Sequence, residues 1–165
     1  MKNNFNLNIR IGYGYDVHQL KIGENLNLGG IHISHNKGSF GHSDADVLIH
    51  SICDALLGAA NMRDIGFHFP DSSADYKAID SKILLRNVIS LLRENNFEII
   101  NIDSTICLEK PKINSYVLKM QKVLADCMGI NIDQLSIKAT TSEKMGFIGK
   151  EKGIAAHAVV LLKVE

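Results

Sequence analysis

The chain has 165 residues, 45% of them hydrophobic and 22% charged, with 18 Lys and Arg set against 18 Asp and Glu. Such a length and balance fit one globular domain with a sizeable core and exclude a disordered chain. A formal net charge of zero argues against an electrostatic grip on nucleic acid, which usually needs a basic face, so any anionic ligand must be held by local groups.

The opening MKNNFNLNIRI has no apolar run of leader length, and no stretch of 18 apolar residues follows, so neither a signal peptide nor a membrane span is expected. Residues 1–8 read as an extension and 9–165 as a single domain. Residues 7–15 alternate in character and predict a first strand, with Asp16 and His18 at its end. ENLNLGGIHIS predicts a hairpin turning at Gly29-Gly30. In SFGHSDADVLIHSICDALLGAANM, Ser43 or Asp44 is placed to cap a helix whose apolar stripe is Leu48, Ile52, Ala55, Leu56 and Ala59. RDIGFHFPDSSADYKAID has no period and predicts a long loop. A second helix is expected over Ser81–Glu94, burying Ile83, Leu84, Val88, Leu91 and Leu92. FEIINIDSTICLE predicts a strand, and Asn114–Met128 a third helix stopped by Gly129. QLSIKATT and GIAAHAVVLLKVE predict two more strands around the turn-rich SEKMGFIGKEK. The sum is an α+β domain, a mixed sheet of four or five strands with helices packed on one face. Cys53, Cys107 and Cys127 are odd in number, far apart and set in apolar segments, which predicts buried, reduced thiols in a cytoplasmic protein.

Side chains two apart on a strand share a face, so Asp16 and His18 point together. On the first helix Asp46, His50 and Asp54 follow at intervals of four, again one face. A solvated surface network has this pattern too. If the two segments meet, Asp16, His18 and His50 make a three-ligand set with an open fourth position, the arrangement of catalytic rather than structural zinc. Asp46, one turn before His50, is placed to orient an imidazole ligand. His42-Ser43-Asp44 precedes the helix, where simple capping and phosphate binding are both compatible with the residues. Lys138 to Glu143 ends a strand with three hydroxyls and a carboxylate, suited to phosphate and to a divalent ion at Glu143, and equally to a plain edge strand. Glu109-Lys110-Pro111-Lys112 closes another strand with polar groups. No Walker loop, nucleophile elbow or CxxC pair is present.

In order along the chain stand DVH after a Gly-rich strand, GHSDADVLIHSICDALLGAA, RDIGFHFPD, EKPKI and KATTSEKMGFIGKEKGIAAHAV. In this ordered set, from Arg10 to Leu162, the chain resembles the 2-C-methyl-D-erythritol 2,4-cyclodiphosphate synthases, lyases of the non-mevalonate isoprenoid pathway. The resemblance implies a homotrimer with sites between subunits, one zinc ion per subunit and a second divalent cation, Mg²⁺ or Mn²⁺. It implies Asp16, His18 and His50 as zinc ligands and Glu143 at the second ion. His42 and Thr141 would stabilise the transition state. Asp16, His18, His42 and Ser43 would contact substrate, with Asp64, Ile65 and Gly66 and the loop Phe69, Pro70, Asp71, Ser72 and Ser73. Its cytidine diphosphate part would lie on Leu108, Glu109, Lys110, Pro111, Lys112, Ile113 and Asn114 and on Thr140, Thr141, Ser142 and Glu143. Phe147 and Lys150 would complete the neighbourhood.

Two positions depart from the family pattern: Lys150 stands where Arg is common, losing the bidentate fork, and His157 where an acid or amide is expected near the trimer axis. Two rival readings use the same residues. One is a zinc hydrolase with Asp46 or Asp64 as base. The other is a metal-stabilised oligomeric binding module.

Overall fold

The computed structural model describes residues 8–70 and 79–164. Strand β1 spans Ile9–Ile22, and a small ribbon of β2 (Leu26–Leu28) and β3 (Ile31–Ile33) follows, then β4 (Lys37–Phe40). Helix α1 is Val47–Ala59, α2 a single turn at Ile65–His68, and α3 Ser81–Glu94. Strand β5 (Phe97–Cys107) leads through a 3₁₀ turn at Asn114–Tyr116 into α4 (Val117–Met128). Strand β6 (Leu135–Thr140), the single turn α5 (Gly146–Gly149) and β7 (Gly153–Val164) complete the chain.

The five-stranded sheet runs β4-β1-β7-β5-β6, antiparallel except for the parallel pair β5 and β6. The α+β expectation holds, with one strand added by β4. Its four residues hold a Gly and are too short to show a period. β1 is longer than 7–15 because alternation continues through its polar half, paired with β7 as far as Gln19 and with β4 from Gln19 to Ile22. The register places Val17, Ala155, Cys107 and Thr140 in one row across four strands. At the opposite end of the sheet the first and last strands lie side by side, Ile9 against Lys163, and the Val164 N–H donates to Asn8 O at 3.1 Å.

One face of the sheet carries the core. Leu135 and Ile137 of β6, Ile102 and Ile106 of β5 and Ile154, Val160 and Leu162 of β7 are buried there with Leu48, Ile52 and Leu56 of α1 and Leu85, Val88 and Leu92 of α3. Helix α1 lies directly on β1, and Gly12 and Gly14 explain how. A Cβ on Gly12 would stand 1.9 Å from Ala55 O, and one on Gly14 1.9 Å from Ser51 O, so the two backbones touch where any side chain would hold them apart. Helix α3 has the expected bounds, but Ile83 is 45% exposed, and Ser81 and Leu85 take the inward places instead. Helix α4 ends with Gly129 in the left-handed region (φ 66°), as expected. Of the cysteines only Cys53 is buried; Cys107 and Cys127 are half-buried, because the outward and rim positions they occupy have no layer above them.

A candidate metal centre and two ligand pockets

Strand β1 supplies two adjacent inward places beyond its glycines, and Asp16 and His18 fill them. There α1 no longer rests on bare backbone, and the imidazole of His50, from its first turn, drops between helix and strand. Asp16 Oδ2 lies 2.9 Å from His50 Nδ1 and 3.0 Å from His18 Nε2, and the two ring nitrogens are 3.4 Å apart. The other carboxylate oxygen, Oδ1, accepts the Val17 N–H at 2.8 Å. Burial opposes ionisation of Asp16, but hydrogen bonds and charge from His18 and His50 outweigh it and hold the carboxyl well below the usual range. Burial likewise disfavours a charged His50, and Asp16 more than offsets this, raising that imidazole.

Among the described residues these three are the group able to hold a metal ion, their ligand atoms all within 4.8 Å of one another. One carboxylate oxygen and two imidazole nitrogens are ligands suited to zinc and other first-row divalent ions. All three border a cavity of about 210 Å³ with His42, Ser43, Ile65, Gly66, Phe69, Ile79 and Leu84. The donor set therefore fits a metal with one side open to a ligand.

Asp46 and Asp54 share the helix with His50 but not its site. Asp46 is fully buried and caps α1: Oδ1 accepts from Ile49 N (3.1 Å) and Gly29 N (3.0 Å), and Oδ2 from Gly30 N (2.7 Å). It thus ties the β2–β3 turn to α1; its backbone carbonyl accepts the His50 N–H at 3.1 Å, but its carboxylate is spent on Gly29, Gly30 and Ile49 and not on the imidazole, contrary to the orienting role expected of it. Neither Ser43 nor Asp44 is the cap, because Ala45 takes a left-handed conformation (φ 56°) and delays the helix by a turn. Anions at His42 and Ser43 would meet side chains, since the helix N-terminus is closed by Asp46. Asp54 Oδ1 accepts the Ile65 N–H at 2.8 Å and anchors α2, and Asp64 caps α2 through Phe67 N at 2.8 Å. The long loop thus contains an ordered turn. Pro70 follows it, and Asp71, Ser72 and Ser73 lie outside the described residues.

The remaining expected residues gather elsewhere. Leu108, Pro111, Lys112, Ile113, Asn114, Thr140 and Thr141 border a second cavity of about 460 Å³, where β5 and β6 end. Glu109 Oε2 accepts from Ser142 N at 3.4 Å, and Thr141 Oγ1 donates to Glu143 Oε1 at 2.9 Å. Lys110 pairs with Glu151 at 3.3 Å; Phe147 and Lys150 are exposed at α5 and just after it. Glu143 is not part of the Asp16 cluster. Two to three strand spacings, from β1 to β5 and to β6, separate the two pockets within one chain, about 10–14 Å at roughly 4.8 Å each. A larger cavity of about 570 Å³ at the far end of the sheet is remote from both, and its Arg93 and Gln134 already donate to main-chain carbonyls. Sequence reasoning missed Ser81, whose hydroxyl reaches His50; it read only as the first residue of a helix.

The chain is similar in sequence and in fold to known proteins. Residues 9–163 match the model of the YgbB family. A Bacteroides fragilis protein named 2-C-methyl-D-erythritol 2,4-cyclodiphosphate synthase is 59% identical over 156 residues, covering 94% of this chain and 98% of its own. A protein of that name from Cytophaga hutchinsonii is 54% identical over 156 residues, with 94% and 98% covered. Among solved structures, IspF of Plasmodium falciparum in complex with CDP superposes with a TM-score of 0.84 at 37% identity, covering 95% of this chain and 97% of that one. The bifunctional IspDF of Campylobacter jejuni gives 0.93 at 39% identity, covering 96% of this chain, which spans 43% of that longer protein.

Proposed function

The chain belongs to the YgbB family, and from that premise we propose that it converts 4-diphosphocytidyl-2-C-methyl-D-erythritol 2-phosphate to 2-C-methyl-D-erythritol 2,4-cyclodiphosphate and CMP. This is a phosphorus–oxygen lyase reaction of the non-mevalonate pathway, in a cytoplasmic enzyme. The observation that carries the reading is the cluster of Asp16, His18 and His50 opening on its cavity. An oxygen of the substrate's 2-phosphate attacks its own β-phosphorus. The bond from that phosphorus to the bridging oxygen breaks, and CMP leaves with the electron pair. No enzyme nucleophile takes part, in keeping with the absence of any nucleophile motif.

Two anionic groups must meet, so the protein's tasks are orientation and neutralisation. Asp16, His18 and His50 hold zinc, one ion per subunit, and Glu143 reaches a second divalent cation, Mg²⁺ or Mn²⁺. When bound, the two ions supply Lewis acidity and a template for the diphosphate. His42 and Thr141 donate to the phosphoryl oxygens as charge develops, the Thr141 hydroxyl turning away from Glu143 to do so. Ser43, the Asp64–Gly66 segment and the loop from Phe69 to Ser73 cradle the methylerythritol end. The pocket from Leu108 to Asn114, with Thr140 to Glu143, takes the cytidine diphosphate, flanked by Phe147 and Lys150.

The two pockets lie too far apart in one chain to share a reacting phosphorus with ease, which supports a homotrimer whose sites pair one subunit's metal cluster with its neighbour's strand-end pocket. The bare apolar face of the sheet supports it independently: Ile11 is 71% and Tyr13 61% exposed. A ³¹P NMR time course with the substrate, Zn²⁺ and Mg²⁺ tests the reading. Cyclic diphosphate and CMP are expected from the unaltered protein and not from an Asp16→Ala, His18→Ala double variant. A linear hydrolysis product would identify a zinc hydrolase, and no turnover by folded, zinc-loaded protein would overturn catalysis altogether.

A further inference from the structure

His50 offers Nδ1 to the cluster, so the state of its other nitrogen decides whether Nδ1 has a free lone pair. Nε2 lies 2.9 Å from Ser81 Oγ and 3.1 Å from Ser43 Oγ. Ser81 is fully buried at the start of α3, where Asp80 already caps the helix. Its hydroxyl is therefore not required as a cap, and it makes a short hydrogen bond to Asp44 Oδ1. The Ser81 backbone N–H donates to the other oxygen of Asp44, Oδ2, at 3.1 Å, and Asp44 is itself fixed by its own N–H to Ile79 O at 3.1 Å.

The polarity of this chain follows from what each group can do. An ionised carboxylate only accepts, so the Ser81 O–H donates to Asp44. Having donated its one proton, Ser81 Oγ can only accept on its other side. His50 Nε2 must then be the donor, which leaves Nδ1 as the metal-binding nitrogen. Ser43 is compatible with this: its Oγ accepts the Ala45 N–H at 3.2 Å and has a second lone pair for the same Nε2–H. With Nε2–H also directed at it, the Ser43 hydroxyl proton remains available to the cavity.

We infer that Asp44 and Ser81 are positioning residues that fix the proton of His50 on Nε2 and so commit Nδ1 to the metal. The inference rests on the metal-site reading above and adds to it two residues outside the ligand set. It makes an unequal prediction for the two partners. Ser81→Ala removes one acceptor but leaves Ser43, so zinc affinity falls about tenfold. Asp44→Asn is nearly isosteric, yet its one amide oxygen cannot serve both the Ser81 N–H (3.1 Å) and the Asp46 N–H (3.3 Å) that the two carboxylate oxygens accept; kept by the closer of the two, it turns the NH₂ group towards Ser81 Oγ. The hydroxyl then donates to Nε2 and drives the imidazole proton onto Nδ1, so affinity falls closer to a hundredfold, the upper range for groups that orient metal ligands.

The test is zinc affinity by chelator competition, joined to ¹H–¹⁵N correlation spectra of ¹⁵N-histidine-labelled, zinc-loaded protein. The unaltered protein should show a proton on His50 Nε2 and metal-shifted Nδ1. Ser51→Ala removes another buried hydroxyl, bonded to Leu48 O at 2.9 Å in α1, and should keep both the affinity and the spectrum. If Ser81→Ala and Asp44→Asn match Ser51→Ala, or if Asp44→Asn is the milder of the two, the positioning role is overturned while the metal site stands. If zinc fails to shift His50 nitrogens in the unaltered protein, the metal-site reading falls, and the inference with it.

Discussion

Along β1 the residues that point beneath α1 are Gly12, Gly14, Asp16 and His18, whereas Ile11, Tyr13, Tyr15 and Val17 point the other way. The covered face is small and then polar; the uncovered face is large and apolar. A solitary two-layer domain would have the reverse, since large apolar side chains normally face the helices. Two different constraints account for the inversion. The inner face is shaped by backbone contact with α1, which leaves no room for side chains until the strand passes the closest approach of the helix, where Asp16 and His18 begin. The outer face is free of that limit and carries side chains suited to a partner surface. There Tyr13 OH lies 3.0 Å from His157 Nδ1, and the Tyr15 ring packs 4.9 Å from the same imidazole.

Substitution on either face tests the contrast. The largest effect is expected from Gly14→Ala. One methyl group placed 1.9 Å from a helix carbonyl must push α1 away, costing about 3 kcal/mol or more, measurable by urea unfolding. The displacement should also weaken zinc binding, because His50 moves with the helix. Asp46→Ala comes next. It strands three backbone N–H groups and removes the α1 cap, for about 2–3 kcal/mol in the same assay. On the outer face, the pair Ile11→Glu and Tyr13→Glu should change the subunit's own stability by less than about 1 kcal/mol, since both sites are already exposed. Sedimentation should nevertheless show the proposed trimer reduced to single copies. If Gly14→Ala is tolerated and the outer pair unfolds the chain, the contrast fails. The smallest effect concerns Cys53, which is buried and whose thiol is pushed well up by burial. It should react with a thiol reagent only as fast as the protein unfolds.

Period-2 alternation made most strands legible, and the spacing of Leu84, Val88 and Leu92 made α3 legible to the residue. The proposed metal ligands were legible as a pair on the strand, Asp16 and His18, and as one of three candidates on the helix, Asp46, His50 and Asp54. Their meeting was not, because it depends on α1 lying directly against β1, and only the atoms of Ser51, Ala55 and Ala59 show how close that approach is. Asp46 misled for a related reason. Spacing put it on the face of His50, but a left-handed Ala45 made it the cap and turned its carboxylate towards Gly29 and Gly30. Ser81 was hidden because its partners, Asp44 and His50, are more than thirty positions away in sequence.

The first and last strands run side by side to their outer ends, where Ile9 faces Lys163, seven residues along β1 from Asp16 and so about 23 Å away. Strands that end side by side there can be joined without disturbing what lies at the other end. A short linker from Val164 to Asn8, with a new opening cut elsewhere, should give a circular permutant that still folds. A second module appended at that seam would hang clear of both pockets, so that evolution or engineering can add a catalytic neighbour by splicing alone.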